Sequence, residues 1–540
     1  MRELPSGWNW ITLGELAEVQ GGITKGNKRR SDEAVRPVPY LRVANVQRGF
    51  LDLSEMKEIE ASESQITRLN LLPGDVLFNE GGDRDKLGRG WVWSGELPEC
   101  IHQNHVFRAR LRPGLMEPKF LSYYGNSEAQ HYFESEGKQT TNLASISLTK
   151  LVALPVIVPP CPEQRRIVAK LEELFSELDA GVEALRRAQR RLARYRQSLL
   201  QAAVTGELTW KWRESRCVHT TSAHSLLDDI CELHRKEWVS LRRVKLAQQG
   251  KRVSENQEIT SFSTPEEPTV PDSAPQLPAK WTWASPAQLT APMKHSLVIG
   301  PFGSDLKVSD YRDKGIPLIF VRNIRSGIFT GDGAKYVSQE KALQLRNHTA
   351  RTGDILITKM GDPPGDACMY PEESPDAIIT ADCIKLTPSP MLKFPAYLVA
   401  AINSDTVRKQ IGTIARGVAQ QKVSLERFRA IAIPLPPTEE QEVILSELDR
   451  RFSAADALEA TLQASLRRAE RLRKSSLERA FRGELVSQDP SDEPAETLLG
   501  RLRAVPVEAP ASRHRGRPQK AKAKALALHP PDDAGVRGSR

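Results

Sequence analysis

A stretch of 46 residues occurs twice in this chain, and this duplication restricts the possible folds more than any other feature. Residues 163–208, shifted by 277 positions, fall on residues 440–485, and 19 of the 46 aligned positions are identical. Identity at one fixed offset over such a length indicates a repeated structural unit rather than a shared composition. The chain is therefore predicted to contain two related halves.

Each copy has the periodicity of a long coiled-coil helix. In the first copy, leucines recur every seven residues, at 171, 178, 185, 192 and 199. The second copy keeps this register with Leu448, Ala455, Leu462 and Ala469. The second line of each seam is predicted three residues further on, at Leu174 and Tyr195 and at Leu458 and Leu472. A narrow apolar seam on an otherwise charged helix requires a partner helix.

The ends of both helices are marked in the sequence. Pro159-Pro160 and Pro436-Pro437 precede the two copies, and Gly206 and Gly483 are natural stops. The expected partner of each helix is the other copy, because a tethered helix has a far higher effective concentration than a second chain. The alternative is a zipper between two chains.

The duplication also extends into the globular parts. Four pairs of segments match: Leu4–Trp10 with Leu277–Trp283, Val38–Val46 with Ile316–Ile324, Gly74–Leu77 with Gly353–Leu356, and Asn126-Ser127 with Asn403-Ser404. Each half combines short β-rich runs with one predicted helix, at Phe120–Glu134 and at Tyr397–Ile411. The fold class is therefore predicted to be α+β, with a mostly antiparallel or mixed sheet in each half.

These patterns divide the chain into six predicted regions. They are a first domain (1–160), a first long helix (161–209), a linker (210–276), a second domain (277–436), a second long helix (437–486) and a C-terminal extension (487–540) that is largely disordered. The linker is expected to hold an amphipathic helix at Leu226–Gln248 and an extended segment, rich in Pro, Ser and Thr, at Ser261–Pro278.

Composition narrows the function. A net charge of +9 and a pI of about 9.1 are compatible with a nucleic-acid partner. The six cysteines have no regular spacing, so reduced thiols and a cytoplasmic location are expected. The longest apolar run, Leu151–Pro160, is far shorter than the ~18 residues of a membrane helix, so no membrane association is expected.

A search for catalytic and metal-binding motifs favours a binding protein over an enzyme. Asp362-Pro363-Pro364-Gly365 is similar to the D-P-P-Y loop of amino-methyltransferases, but Gly365 replaces the aromatic residue that would stack on a base, so a turn is the better interpretation. A second candidate, for metal binding, is the group Cys217, His219, His224, Cys231 and His234, whose spacing fits no common zinc pattern. No catalytic residue, metal or cofactor is therefore expected.

Several motifs appear in duplicate and in the same order. They are P-x-x-W at Pro5–Trp8 and Pro278–Trp281, P-P-x-x-E-Q within Pro159–Ile167 and Pro436–Ile444, and the two G-E-L endings. Together with Gly300-Pro301-Phe302-Gly303-Ser304, they resemble the specificity (S) subunit of type I restriction-modification systems over about residues 4–505. The first half departs from the G-P-F-G-S pattern, since it has Gly21-Gly22-Ile23-Thr24-Lys25.

The resemblance implies two target-recognition domains, joined by two long helices that form an antiparallel coiled coil and related by a pseudo-two-fold axis. Each domain would read one half of a bipartite site in double-stranded DNA, with the helices as a ruler between them. Modification subunits would supply the adenine methyltransferase, and restriction subunits would supply translocation and cleavage. Two alternatives remain: an architectural coiled-coil adaptor, and a diverged part of a single-chain restriction-methylation enzyme.

Polar loop clusters supply the candidate DNA-binding residues, because DNA is read by Arg, Lys, Asn and Gln side chains that reach phosphates and base edges. In the first half they are Lys25, Asn27, Lys28, Arg29, Arg30, Arg84, Lys86, Arg89, Lys138, Gln139, Thr140, Thr141 and Asn142. In the second half they are Lys307, Lys359, Arg416, Gln420, Gln421 and Lys422.

Overall fold

A computed structural model describes residues 3–25, 34–82, 86–139, 144–216, 221–249, 262–417 and 421–504. They pack as two units. The first unit combines the chain up to Glu177 with the chain from Leu472 onwards, and the second unit is Leu178–Arg471. Because these packing units divide both long helices, they are not the six regions predicted from the sequence, whose limits remain a prediction.

The first part of the chain alternates short strands and helices and ends in a helix of 45 residues. Its elements are β1 (Asn9–Thr12), α1 (Leu13–Leu16), β2 (Ala17–Gly21), β3 (Arg36–Leu41), β4 (Val46–Gln47), β5 (Phe50–Leu51), β6 (Lys57–Ala61), α2 (Glu63–Leu69), β7 (Val76–Asn79), β8 (Gly81–Gly82), β9 (Ile101–His102), β10 (Val106–Leu111), α3 (Pro118–Gly125), α4 (Gln130–Glu136), β11 (Lys138–Gln139), β12 (Ala144–Ser145), α5 (Leu148–Val152), β13 (Pro155–Val158) and the long helix α6 (Cys161–Thr205).

The remainder repeats this order after two linker helices. Its elements are α7 (Trp210–Arg216), α8 (Ala223–Gln248), β14 (Thr282–Ala284), β15 (Leu297–Ile299), β16 (Ile316–Ile319), β17 (Ile324–Arg325), β18 (Ile328–Phe329), β19 (Lys335–Val337), α9 (Gln339–Gln344), β20 (Thr349–Ala350), β21 (Ile355–Thr358), β22 (Met360–Gly361), β23 (Ala367–Met369), β24 (Ala377–Ile379), β25 (Cys383–Leu386), α10 (Ala396–Ile402), α11 (Asp405–Ile414), β26 (Gln421–Lys422), α12 (Leu425–Arg429), β27 (Ile433–Leu435), the long helix α13 (Thr438–Phe481) and α14 (Ala495–Ala504).

Strand order and register confirm the internal duplication. Strands β2, β10 and β7 pair in that order in the first unit, as β15, β25 and β21 do in the second. Arg108 lies opposite Leu77, and Lys385 lies opposite Leu356, which are equivalent positions of the repeat. Most pairs are antiparallel, but β3–β9 and β16–β24 are parallel. The predicted α+β class with mixed sheets is therefore confirmed.

One predicted helix in each half is in fact two helices, and the break is caused by a buried asparagine. Asn126 follows α3, and its side-chain amide donates to Gly90 O at 2.7 Å and accepts from Gly90 N at 3.1 Å. Asn403 makes the same pair of bonds to Ala367, at 2.8 and 3.1 Å. Ser404 then caps α11. The repeated Asn-Ser dipeptide therefore ends one helix and ties it to the neighbouring backbone.

The P-x-x-W segment of each half is joined to the start of its long helix. Trp8 Nε1 donates to Glu163 Oε2 at 3.0 Å, and Trp281 Nε1 donates to Glu440 Oε2 at 2.7 Å. The neighbouring Gln164 bonds the backbone of Glu117, Leu115 and Pro159 at 2.7–3.1 Å. The E-Q pair therefore fixes the first turn of the helix to its domain.

Each unit also holds the end of the opposite helix. In the first unit, the Phe481 ring packs edge-on against Phe120 and Tyr124, with centroids 5.3 and 5.6 Å apart. In the second unit, Leu199 and Ala203 of α6 join Ile444 and Leu448 of α13 in the main core. The predicted stops are correct, since Gly206 and Gly483 follow the helices with φ of 80° and 73°.

Within the second unit the two long helices run antiparallel. The end of α6 lies with the start of α13 in the main core, while Leu192, further back along α6, packs with Ala455 and Leu462, further along α13. The tethered partner predicted from the sequence is therefore the observed one. No described helix is both long and apolar enough to cross a membrane.

The second line of the seam differs from the prediction. Tyr195 and Leu458 are 42% and 50% exposed, and they line an open groove of about 800 Å³ beside the seam. The inner position is instead Arg196, four residues after Leu192, which forms ion pairs with Asp456 and Glu459. Because Arg196 is held by charges rather than by apolar contacts, hydrophobic spacing could not locate it, whereas Ala188, three residues after Leu185, does pack against the seam.

The duplication continues beyond the long helices. Ala223 N, at the start of α8, donates to Lys280 O at 2.9 Å, and Ala495 N, at the start of α14, donates to Gly7 O at 2.9 Å. Both alanines are buried. One helix that follows each long helix therefore packs against the P-x-x-W segment of its unit.

Candidate nucleic-acid interface

Five chain segments meet at one edge of the second unit. Lys359 N donates to Asp382 O at 2.8 Å, Val423 N donates to Lys359 O at 3.0 Å, and Gly300 N donates to Cys383 O at 3.2 Å. We call this the second recognition edge and define it as residues 299–302, 359–361, 380–383, 416–417 and 421–423. Backbone bonds hold its segments together.

A glycine is required where the first of these segments crosses the next. A Cβ on Gly300 would lie 2.1 Å from Thr380 O, and a Cβ on Gly22 in the first unit would lie 1.8 Å from His102 O. Only glycine allows such an approach of two backbones. The two glycines therefore occupy equivalent places, although the first half lacks the complete G-P-F-G-S sequence.

The second recognition edge is rich in positive charge. Lys359, Arg416 and Lys422 surround a pocket of about 520 Å³ that is also lined by Ile299 and Ile414. Lys359 Nζ donates to Ala381 O at 3.3 Å, and Lys422 Nζ lies 3.9 Å from Asp382 Oδ1. Clustered cations on surface loops are the arrangement that binds nucleic-acid phosphates.

Arg416 and Lys422 are the two sides of one hairpin. Each donates its backbone N–H to the carbonyl oxygen of the other, at 3.0 and 2.8 Å, and Lys422 also pairs with Met360. Nearby, burial lowers the pKa of His348, whose Nδ1 lies 2.8 Å from Ile299 O. The His348 ring is therefore neutral at physiological pH, so the positive charge of this pocket comes from its lysines and arginines.

The first unit has an edge built in the same way. Glu80 N donates to His105 O at 2.9 Å, Ile146 N to Glu80 O at 2.8 Å, and Ile23 N to His102 O at 2.8 Å. We call this the first recognition edge: residues 22–25, 80–82, 102–105, 138–139 and 144–146. The exposed side chains of Lys25 and Lys138 lie on it.

The two edges have equivalent backbone arrangements but different side chains. Glu80 occupies the place of Lys359, and its carboxylate lies 2.5 Å from His105 Nδ1. His105 in turn occupies the place of Asp382, so each edge carries one carboxylate, on a different segment. Carboxylates accept hydrogen bonds from the amino groups of bases. No sequence pattern indicated Glu80, His105 or Asp382, because their positions follow from backbone bonds to distant segments.

The remaining described candidates lie in varied surroundings. Lys86 lies beside Gly82 in the first unit, where a Cβ on that glycine would be 3.4 Å from the Lys86 Cβ. The Arg89 guanidinium donates to Val43 O at 3.3 Å, so it helps to hold the domain together. Lys307 is exposed, and its backbone N–H donates to Asp310 Oδ2 at 2.8 Å. Gln421 is exposed on the second recognition edge.

Nine candidates lie outside the described residues: Asn27, Lys28, Arg29, Arg30, Arg84, Thr140, Thr141, Asn142 and Gln420. For Gln139 the described feature is the backbone, which pairs with Ala144. The roles assigned to all these residues remain predictions.

The structure shows what two of the candidate catalytic and metal-binding motifs do in the fold. Thr358 Oγ1 accepts from Gly365 N and Asp366 N, both at 2.9 Å, so the D-P-P-G segment is held as a turn. His234 Nε2 lies 2.8 Å from Thr290 O. Cys217 and His219 lie outside the described residues. Within the described part of the chain, no group of three or more His, Cys, Asp or Glu side chains could hold a metal.

Comparison with known proteins places this architecture in one family. The sequence profile of the type I restriction modification DNA specificity domain matches residues 5–185 and 320–468. The EcoBI specificity subunit of Escherichia coli is 26% identical over 511 residues, which cover 92% of each chain. The EcoKI specificity subunit of Escherichia coli K12 is 21% identical over 535 residues, covering 93% of this chain and 96% of that one.

A solved structure supports the fold. It is described as the structural basis of complex assembly and conformational transition of the type I R-M system, and one of its chains has a TM-score of 0.56 and 20% identity. The similarity covers 90% of this chain and 100% of that chain. With the family profile matched on both halves, the chain belongs to the type I restriction modification DNA specificity domain family.

Proposed function

We propose that this chain is the sequence-specific DNA-binding subunit of a type I restriction-modification complex. Each recognition edge reads one half of a bipartite site in double-stranded DNA. The observation that carries the proposal is the pairing of an equivalent backbone with different side chains: Glu80 and His105 in the first edge, Lys359 and Asp382 in the second. Such a scaffold presents two different hydrogen-bonding patterns to two different sequences.

Different side chains of each edge are suited to two tasks, which are positioning the protein on the DNA backbone and recognising the bases. Lys25 and Lys138 in the first edge, and Lys359, Arg416 and Lys422 in the second, contact phosphates and fix the register. The carboxylates of Glu80 and Asp382 accept from cytosine or adenine amino groups, and they repel phosphate when no such donor is present. Positive charge thus supplies affinity, and the carboxylates supply discrimination.

The chain itself is proposed to be non-catalytic. Modification subunits bring the adenine methyltransferase to the site, and restriction subunits bring translocation and cleavage, as in the complexes of its family. The complex is proposed to act on DNA in the cytoplasm. An architectural adaptor without DNA contacts is disfavoured, because it would not need two basic edges with different side chains on one repeated backbone.

Domain exchange tests the proposal. Residues 9–158, from β1 through its partner strand β13, would be replaced by the corresponding segment of another family member, and the chain would be expressed with its modification subunits. Methylome sequencing should then show one half-site changed and the other retained. A change in both half-sites, or in neither, would contradict independent reading by two domains.

A further inference from the structure

The second recognition edge presents an aromatic ring to solvent. Phe302 is 66% exposed, in the loop that follows β15. A single exposed apolar side chain is not unusual on a protein surface. The significance of Phe302 therefore depends on how it is held and on what surrounds it.

The Phe302 backbone is fixed on both sides. Gly300, two residues earlier, packs against Thr380 and donates to Cys383 O at 3.2 Å. After the ring, Asp305 N and Leu306 N both donate to Phe302 O, at 2.9 and 3.3 Å, and the Leu306 side chain is buried. The ring thus projects from an anchored turn, so a binding partner that covers it has little loop motion to restrict.

Cations lie beside the strand end that leads into this turn. Ile299, three residues before the ring, lines the pocket formed with Lys359, Arg416 and Lys422. An apolar partner protein would have to desolvate these charges, whereas nucleic acid neutralises them with phosphates and offers bases to the ring. Positive charge next to an exposed aromatic side chain is the combination by which proteins hold phosphates and contact bases together.

The first recognition edge has no such ring. Because Gly22 and Gly300 occupy equivalent places, Thr24 corresponds to Phe302. The sequence from Thr24 to Glu33, TKGNKRRSDE, contains no large apolar residue. The two edges therefore differ: in the first, the apolar side chains of Ile23, Ala144 and Ile146 are buried, whereas the second exposes the aromatic side chain of Phe302.

We propose that Phe302 is a base-contacting residue of the second recognition edge, whose ring packs against bases of the half-site that this edge reads. This assignment rests on the proposed function and adds an apolar contact to it. The second half-site is thereby recognised partly through the shape and stacking of its bases, and the first through hydrogen bonds and charge alone.

The experiment compares Phe302→Ala with Leu343→Ala, each in the full chain expressed with its modification subunits. Leu343 is a matched control, because it is 68% exposed on α9 of the same unit. The probes are a short duplex with the motif methylated by the wild-type complex and the same duplex with the second half-site scrambled. Domain exchange identifies which half-site that is.

We expect Phe302→Ala to weaken binding to the intact duplex by roughly 5- to 150-fold, the range for removing one aromatic side chain that packs on a base. Binding to the scrambled duplex should be unchanged, Leu343→Ala should match wild type on both probes, and Phe302→Tyr, which keeps the ring, should retain binding. Thermal unfolding of Phe302→Ala should match wild type.

Three results would overturn the assignment. They are wild-type affinity of Phe302→Ala for the intact duplex, an equal loss on both duplexes, and failure of the variant to co-purify with the modification subunits, which would place the ring in a protein interface. A wild-type complex that shows no preference for its own methylated motif would instead overturn the proposed function, and this assignment would fall with it.

Discussion

The indole N–H of Trp281 donates to Glu440 at 2.7 Å, and the other carboxylate oxygen of Glu440 accepts from Arg213 and Thr209, each at 2.6 Å. The equivalent Glu163 accepts from Trp8, but Pro490 stands where the repeat has Arg213. The glutamate of this motif is thus paired with an arginine in the second unit. In the first unit, burial raises the pKa of the Glu163 carboxyl group.

This difference predicts opposite effects of the same substitution. Glu440→Gln should destabilise the second unit by about 1–3 kcal/mol, because the guanidinium of Arg213 loses its charged partner in a half-buried site. Glu163→Gln should leave the first unit equally or more stable at neutral pH. Hydrogen exchange, read separately for the two units, measures each effect. Equal destabilisation by both substitutions would contradict the role given to Arg213.

The raised pKa of Glu163 also predicts a pH dependence. A carboxyl group with a folded pKa above its unfolded value favours the protonated folded state, so its contribution to stability is lost as pH rises through the folded pKa. Any advantage of Glu163→Gln at pH 7 should therefore shrink as pH falls toward and below the ordinary carboxyl range. Unfolding curves of both proteins across that range would show this, and a gap that widens on acidification would be the wrong sign.

The cations of the second recognition edge should carry part of the salt dependence of DNA binding. Replacing Lys359, Arg416 and Lys422 by alanine should weaken binding to all sequences and lower the salt slope by roughly 0.9 for each phosphate that is no longer neutralised. Alanine at the exposed Lys236, Lys314 and Lys393 removes the same charge from the same unit and is the control. Equal slopes for the two triple variants would exclude a local phosphate contact.

The long helices should set the length of the non-specific spacer. Seven residues inserted after Ala184 in α6, together with seven after Gln463 in α13, preserve the heptad register and lengthen the pair by about 10 Å, or roughly three base pairs. The methylated motif should keep both half-sites with a longer spacer. The same insertion after Gly250, in the linker, should change nothing. An unchanged spacer in the double insertion would mean that the helices are not a ruler.

The C-terminal tail should add affinity without specificity. Arg513–Pro518 is similar to an AT-hook and lies outside the described residues. Truncation after Ala504 should weaken binding to matched and scrambled duplexes alike and flatten the salt dependence. If the salt slope is unaffected, the tail is a solubilising segment instead.

The sequence predicted the parts of the fold that leave a periodic or repeated signal. The helix stops at Gly206 and Gly483 and the tethered helix partner follow from local chemistry. Arg196 was not predicted because ion pairs hold it in the seam, and the spacing of hydrophobic residues gives no information about charged positions. The helix break at Asn126 was not predicted because it depends on a hydrogen bond to the backbone of Gly90, which lies 36 residues away in the chain.

The residues of the candidate site were likewise predicted only where the sequence carries a recognisable signal. Lysines and arginines in loops were visible as composition, so Lys359, Arg416 and Lys422 were predicted, and the fold brings them to one pocket. Glu80 and Asp382 were not predicted, because a lone acidic residue in a loop has no distinguishing pattern. Their place on the edges is defined by backbone bonds to distant segments, which no single stretch of sequence reveals.

The backbone bonds of the recognition edges bear on how such a protein can change over time. Glu80 and Lys359 have opposite charge and occupy equivalent positions, because the peptide group of each makes the backbone bonds that hold the loop. Mutation of Glu80 is therefore expected to change the sequence that is recognised, and mutation of Lys359 to change the affinity, without unfolding either domain. The Asn126 and Asn403 amides and the two tryptophan–glutamate bonds lie elsewhere and can stay constant. A lineage can thus acquire new target sequences at little cost in stability, and can do so for one half-site at a time.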